Sequence, residues 1–127
     1  MGAPSLRLLV VDDLEPNRRL HAELARACGY SVDTASNGRE AVEAAERVAY
    51  DCILTDIDMP VMNGIEAIHA IRALEAEQKR DPAVIIAVTG SEAPAECLRA
   101  GADYYVSKLD REVLTGMLQR LAQALDG

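Results

Sequence analysis

The chain has 127 residues, 50% of them apolar but with neither Trp nor Phe, and its 13 basic against 21 acidic residues leave a net charge of -8. That length suits one domain with a single sizeable core, and the acidic balance argues against direct binding to nucleic acid or to an anionic membrane, both of which favour a basic face. No apolar run is long enough to cross a bilayer and the first residues lack a signal-peptide pattern, so a soluble cytoplasmic protein without membrane insertion is expected. Cys28, Cys52 and Cys97 are odd in number and lie in apolar segments, which reads as reduced core thiols rather than a disulfide or zinc framework.

In chain order, Leu6 to Val11 is an apolar run broken only by Arg7, as in a strand buried on both faces. It ends in Asp12-Asp13. Residues 15 to 28 predict a helix, with Pro16 in the first turn, Leu20, Leu24, Ala27 and Cys28 as its apolar stripe, and Gly29 as the stop. Arg18-Arg19 is expected on its solvated face, and His21 and His69 are expected as exposed helix side chains. Ser31 to Ala35 is a second strand, and Asn37-Gly38 turns into a helix with Ala41, Val42, Ala45 and Val48 inward. Cys52 to Thr55 forms a third strand; Gly64 to about Leu74 carries Ile65, Ile68 and Ile71 at helical spacing.

A polar stretch, Glu75 to Asp81, precedes Ala83 to Val88, the most β-prone run. Pro94 to Ala100 predicts a short helix closed by Gly101, Tyr104 to Val106 a last strand, and Asp110 to Leu125 an amphipathic helix. Its inward set is Val113, Leu114, Met117, Leu118, Leu121 and Leu125, with Asp110 as cap. Five βα units imply an α/β fold, a parallel sheet covered on both faces, and the doubly wound order 2-1-3-4-5. Ligands bind beyond the carboxyl ends of strands where that topology reverses, between the first and third strands.

Asp12 and Asp13 close the first strand, Asp56 the third and Thr89 the fourth, and Lys108 lies just past the fifth. The strand order brings all five to one sheet edge. Crowded carboxylates raise one another's pKa unless a cation is present, and Mg²⁺ suits a site of a few carboxylates, a carbonyl and waters. Capping of the following helix would account for one acidic residue, but not for the pair together with Asp56. A metal, an ammonium and a hydroxyl together suit a phosphoryl group, with Asp56 as the nucleophile that forms an aspartyl phosphate. Alone, Lys108 reads as a surface lysine and Thr89 as a strand-end residue.

The motifs Val11-Asp12-Asp13, Asp56-Ile57-Asp58-Met59-Pro60-Val61-Met62-Asn63-Gly64, Thr89 and Ala100-Gly101-Ala102-Asp103 with Tyr105 and Lys108 resemble, in order and over essentially the whole chain, the receiver domain of two-component response regulators. The resemblance implies a flavodoxin-like (βα)5 fold, a single receiver domain over residues 1–127, and phosphorelay signalling rather than enzymatic turnover, the domain catalysing its own phosphorylation and dephosphorylation. Asp56 would take its phosphoryl group from a sensor histidine kinase or histidine phosphotransfer protein. Asp12, Asp13 and Asp56 would hold Mg²⁺ with the backbone carbonyl of Asp58. Thr89 and Lys108 would bind phosphoryl oxygens, and Tyr105 would swing inward as Thr89 moves, in a monomer or weak dimer. The stretch from Asp13 to Arg18 is similar to receivers attached to hybrid sensor kinases. On residue type alone, Met62 is a packing residue and Tyr105 a strand-end aromatic.

Leu109 stands where these domains usually carry proline, which predicts a differently set and more mobile lysine loop. Gly90 replaces a common alanine, and Tyr104 a frequent polar residue. The interval from Thr89 to Gly101 is short by nearly one helical turn, which predicts a shortened fourth helix and an activation change centred on the loop from Gly90 to Pro94. Two alternatives remain: a degenerate receiver that binds partners without phosphorylation, and a haloacid-dehalogenase-like phosphohydrolase. The latter's Asp-x-Asp ends its first strand, whereas Asp56-x-Asp58 follows the third.

Overall fold

The computed structural model describes residues 6–90 and 94–126. Five strands, β1 (Arg7–Val11), β2 (Ser31–Ala35), β3 (Cys52–Thr55), β4 (Val84–Thr89) and β5 (Tyr104–Ser107), alternate with α1 (Glu15–Ala27), α2 (Gly38–Arg47), α3 (Gly64–Gln78), α4 (Pro94–Ala100) and α5 (Arg111–Asp126). The strands pair in parallel in the order β2-β1-β3-β4-β5, the expected doubly wound sheet. Strand side chains alternate between two cores, as the pleat requires. Leu8, Val10, Leu54, Ile86 and Val88 pack with Ala22 and Ala25 of α1 and Leu114 and Leu118 of α5. On the other face, Leu9, Val11, Ile53, Ile85 and Ala87 pack with Ala41 of α2, Ile68 and Ile71 of α3 and Cys97 of α4. Cys52 and Cys97 are buried free thiols and Cys28 is a partly buried one.

One helix buries a face other than the one expected, and another buries only part of its expected set. In α1 the inward residues are His21, Ala22 and Ala25, while Ala27 is exposed and Leu20 and Leu24 are half-buried. Small side chains let this helix lie close to the sheet, so its largest aliphatics fall on the flanks. His21 is therefore buried rather than solvated; His69 is exposed, as expected. In α5 Leu114 and Leu118 are fully inward and Met117 and Leu121 pack half-buried against the same core, as expected, while Val113 and Leu125 are exposed.

Helix α3 runs to Gln78, past the expected end at Leu74 and into the stretch that reads as polar loop. Glu75 is buried there because its carboxylate accepts hydrogen bonds from Arg72 Nη1 at 2.8 Å and from the Ala83 N–H at 2.7 Å. The start of α3 is a capping box, in which the Asn63 side chain accepts from Glu66 N–H and the Glu66 side chain accepts from Asn63 N–H. The fourth helix has the short span expected, although residues 91–93, the centre of the loop assigned to activation, lie outside the described residues.

Candidate phosphoacceptor site

Register builds the site. Val11 of β1 pairs with Thr55 of β3, so the next residue of each strand, Asp12 and Asp56, emerges at the same level of the sheet edge. The Asp56 N–H donates to the Val11 carbonyl at 2.8 Å and fixes that level. On the other side of β3, Thr55 pairs with Ala87, and Thr89 pairs with Ser107, which places Lys108 just beyond. Asp12, Asp56 and Thr89 are buried, Asp13 is half-buried, and Asp58 is exposed.

One carboxylate oxygen from each of Asp12, Asp13 and Asp56 lies within 4.8 Å of the other two. Lys108 Nζ stands 3.2 Å from Asp56 Oδ2 and 3.8 Å from Asp12 Oδ2. The remaining oxygens are held by main chain: Asp56 Oδ1 accepts from Ile57 N–H at 2.8 Å, and Asp12 Oδ1 from Leu14 N–H at 3.0 Å. Burial raises the Asp56 carboxyl above its ordinary value and the Asp12 charge raises it further, while Lys108 and the Ile57 N–H oppose this. Asp12 is likewise raised by burial, against the Leu14 N–H and Lys108. An all-oxygen donor set whose members repel one another fits a hard divalent cation, which would relieve that repulsion. The side chain of Asp58 is not among the three clustered carboxylates.

The loop after Asp56 turns away sharply. Met62 N–H donates to the Pro60 carbonyl at 2.8 Å across Val61, whose φ is +71°. Such a three-residue turn strains a β-branched residue, a kind of strain that persists where the surroundings over-determine the backbone. Gly64 closes the loop by donating its N–H to the Ile57 carbonyl at 2.8 Å. A Cβ at Gly64 would stand 2.2 Å from the main-chain carbonyl oxygen of Asp56 itself. Met62 is half-buried with its side chain beside Gly38, and its carbonyl accepts the Gly38 N–H at 3.0 Å.

Leu109 does not displace Lys108. No cis peptide bond occurs among the described residues. The N–H that a proline would lack donates from Leu109 to Ser107 Oγ at 3.2 Å, and Asp110 N–H donates to the Ser107 carbonyl at 3.0 Å. Lys108 N–H meanwhile donates to the Thr89 carbonyl at 3.1 Å, which ties the lysine loop to the end of β4. Tyr105 packs half-buried against the core shared by α2, α3 and α4.

Two residues expected in solvent lie out of it, on α1. Arg18 is half-buried and donates from Nη1 to the Asp12 carbonyl at 2.8 Å, unlike exposed Arg19, which pairs with Glu15 at 2.8 Å. His21 sits within electrostatic range of Lys108, Asp56 and Arg111. No local pattern marks either one, since both depend on which side of α1 faces the sheet.

Comparison with known proteins agrees with this geometry. A hybrid signal transduction histidine kinase B of Dictyostelium discoideum is 37% identical over 113 residues, covering 80% of this chain, which spans only 6% of that kinase. The receiver domain of sensor histidine kinase PA1611 from Pseudomonas aeruginosa PAO1, solved with a magnesium ion coordinated in its active site cleft, superposes with a TM-score of 0.80 at 34% identity, covering 94% of this chain and 99% of that one. A chain of the Saccharomyces cerevisiae co-crystal of the histidine phosphotransfer protein Ypd1 with the Ssk1 receiver domain superposes with a TM-score of 0.86 at 26% identity, covering 100% of this chain and 95% of that one. The family model described as response regulator receiver domain matches residues 8–119, and the chain belongs to that family of two-component signalling domains.

Proposed function

We propose that Asp56 accepts a phosphoryl group from a phosphohistidine donor with Mg²⁺ bound, and that the resulting charge change is relayed through Thr89 and Tyr105 to a partner or output. The observation that carries this reading is the buried Asp56 carboxylate, held between a second buried aspartate and the Lys108 ammonium at 3.2 Å. Asp12, Asp13 and Asp56, with the Asp58 carbonyl, would hold Mg²⁺, which supplies charge neutralisation for the carboxylates and the incoming phosphoryl oxygens. An Asp56 carboxylate oxygen then forms a bond to phosphorus as the donor's N–P bond breaks, the electron pair returning to the imidazole nitrogen. Lys108 moves from its carboxylate partner to a phosphoryl oxygen. Thr89, buried at the end of β4, donates its hydroxyl to another, and Tyr105 follows it inward.

The domain in this reading promotes its own phosphorylation and dephosphorylation. Its partner is a sensor histidine kinase or a histidine phosphotransfer protein, the pairing present in the yeast co-crystal. It acts as a single domain over residues 1–127, in the cytoplasm, as a monomer or weak dimer without contact to nucleic acid. No helix among the described residues is long and apolar enough to cross a membrane. The degenerate-receiver alternative loses support because Lys108 reaches Asp56 although Leu109 replaces proline. The test is transfer from a labelled phosphohistidine domain: the parent chain is expected to take up label, and retention of all label on the donor would refute the proposal.

A further inference from the structure

We infer that Arg18 is a positioning residue for the metal-binding carboxylates, acting through the main chain of Asp12. The inference rests on the Mg²⁺ reading above. Four polar groups of Asp12 are engaged at once. Its N–H donates to the Ala35 carbonyl at 3.1 Å, Oδ1 accepts from Leu14 N–H at 3.0 Å, Oδ2 faces Lys108 Nζ at 3.8 Å, and the carbonyl accepts from Arg18 Nη1 at 2.8 Å. The first three are ordinary consequences of strand pairing, a tight turn and the site itself. The fourth is a charge-assisted bond reaching back six residues from the second turn of α1.

That bond matters because it ties the residue that follows β1 directly to a side chain of α1. The N-cap position of α1 is Leu14, which has no side-chain cap, so the usual tether of loop to helix is missing. The Asp12–Leu14 contact and the Arg18 clamp replace it. Together they fix the peptide from which Asp12 and Asp13 project, and outer groups that orient metal ligands typically change affinity by one to two orders of magnitude when removed.

The sign of the effect separates this role from simple charge. Removing a cation near the site favours uptake of a dication, whereas removing a clamp disfavours it. Arg19 provides the control, since it carries the same charge one residue away and makes only an exposed pair with Glu15.

The experiment titrates Mg²⁺ into the intact chain and follows backbone amide shifts, for the parent, Arg18→Met, Arg18→Lys and Arg19→Met. Arg18→Met is expected to weaken Mg²⁺ binding about tenfold and Arg18→Lys to stay within about threefold of the parent. Arg19→Met is expected to leave binding unchanged. Saturating Mg²⁺ should restore the acetyl phosphate labelling rate of Arg18→Met, because the loss lies in metal affinity. Should Arg18→Met be too unstable to titrate, Arg18→Gln against Arg19→Gln makes the same comparison. Parent-like or tighter binding by Arg18→Met, or equal shifts in Arg18→Met and Arg19→Met, would overturn the inference alone. A parent chain that takes up no Mg²⁺ would overturn the metal reading, and the inference with it.

Discussion

Replacing Gly64 with alanine tests how tightly the loop after β3 is built onto the phosphoacceptor. The added Cβ would lie 2.2 Å from the Asp56 carbonyl oxygen, 2.8 Å from Ile57 Cα and 2.8 Å from Ile57 Cδ1, so two of three clashes are with main chain that no rotamer change relieves. Overpacking of this kind costs about 1–3 kcal/mol. The relief requires the Gly64 N–H to leave the Ile57 carbonyl, now 2.8 Å away, which adds about 1 kcal/mol. A total of about 3 kcal/mol corresponds to a drop of about 12 °C in Tm for a domain of this length. Because the displaced carbonyl belongs to Asp56, labelling by acetyl phosphate should slow as well. Thermal unfolding by circular dichroism and intact-mass labelling measure the two effects. Gly90→Ala is the control, since among the described residues, its chain neighbours aside, no heavy atom lies within 4 Å of its Cβ position. A Gly64→Ala protein with Tm and labelling close to those of Gly90→Ala would refute the packing argument.

The raised Asp12 and Asp56 carboxyls add stability that is present below the ordinary value of 3.8 and lost as pH rises through their folded values. Urea midpoints of metal-free Asp56→Asn are therefore expected to fall less than those of the parent as pH rises from 4 toward neutrality, and Mg²⁺ should stabilise the parent most at neutral pH. His21 acts in the opposite sense. Burial, then Lys108 and Arg111, lower it from 6.5, so its contribution is present above 6.5 and lost as pH falls through the lowered value; His21→Leu should remove that loss, read from the same titration. Arg80 donates from Nη2 to the Glu46 carbonyl at 2.9 Å and from Nη1 to the carbonyls of Ala45 and Val48, closing the carboxyl end of α2. Arg80→Ala should cost about 2 kcal/mol in denaturant unfolding while leaving labelling of Asp56 intact.

The strand order and the converging carboxylates were legible because strands of a parallel sheet covered on both faces must be continuous aliphatic runs, and such runs ending in Asp12 and Asp56 point both residues to one edge. The expected start of the first strand at Leu6 and end of the last at Val106 each differ by one residue from β1 and β5, within the usual uncertainty of element ends. What stayed illegible depends on partners distant in sequence. Glu75 reads as loop until Arg72 and the Ala83 N–H satisfy its charge, and α3 then continues for another turn. Likewise, a stripe drawn through Leu20 and Leu24 overlooks that Ala22, Ala25 and His21 allow a closer approach to the sheet. At Leu109 the rule for proline anticipated a changed lysine loop, but the rule says nothing of Ser107 Oγ as a partner for the N–H that proline lacks.

The central claim is that Asp56 is a metal-assisted phosphoacceptor, and intact-mass spectrometry after incubation with acetyl phosphate tests it most directly. With Mg²⁺ the parent chain is expected to gain one phosphoryl group; without Mg²⁺, or as Asp56→Asn, it is expected to gain none. No gain in the parent, an equal gain in Asp56→Asn, or continuing turnover of an added phosphomonoester would contradict the account.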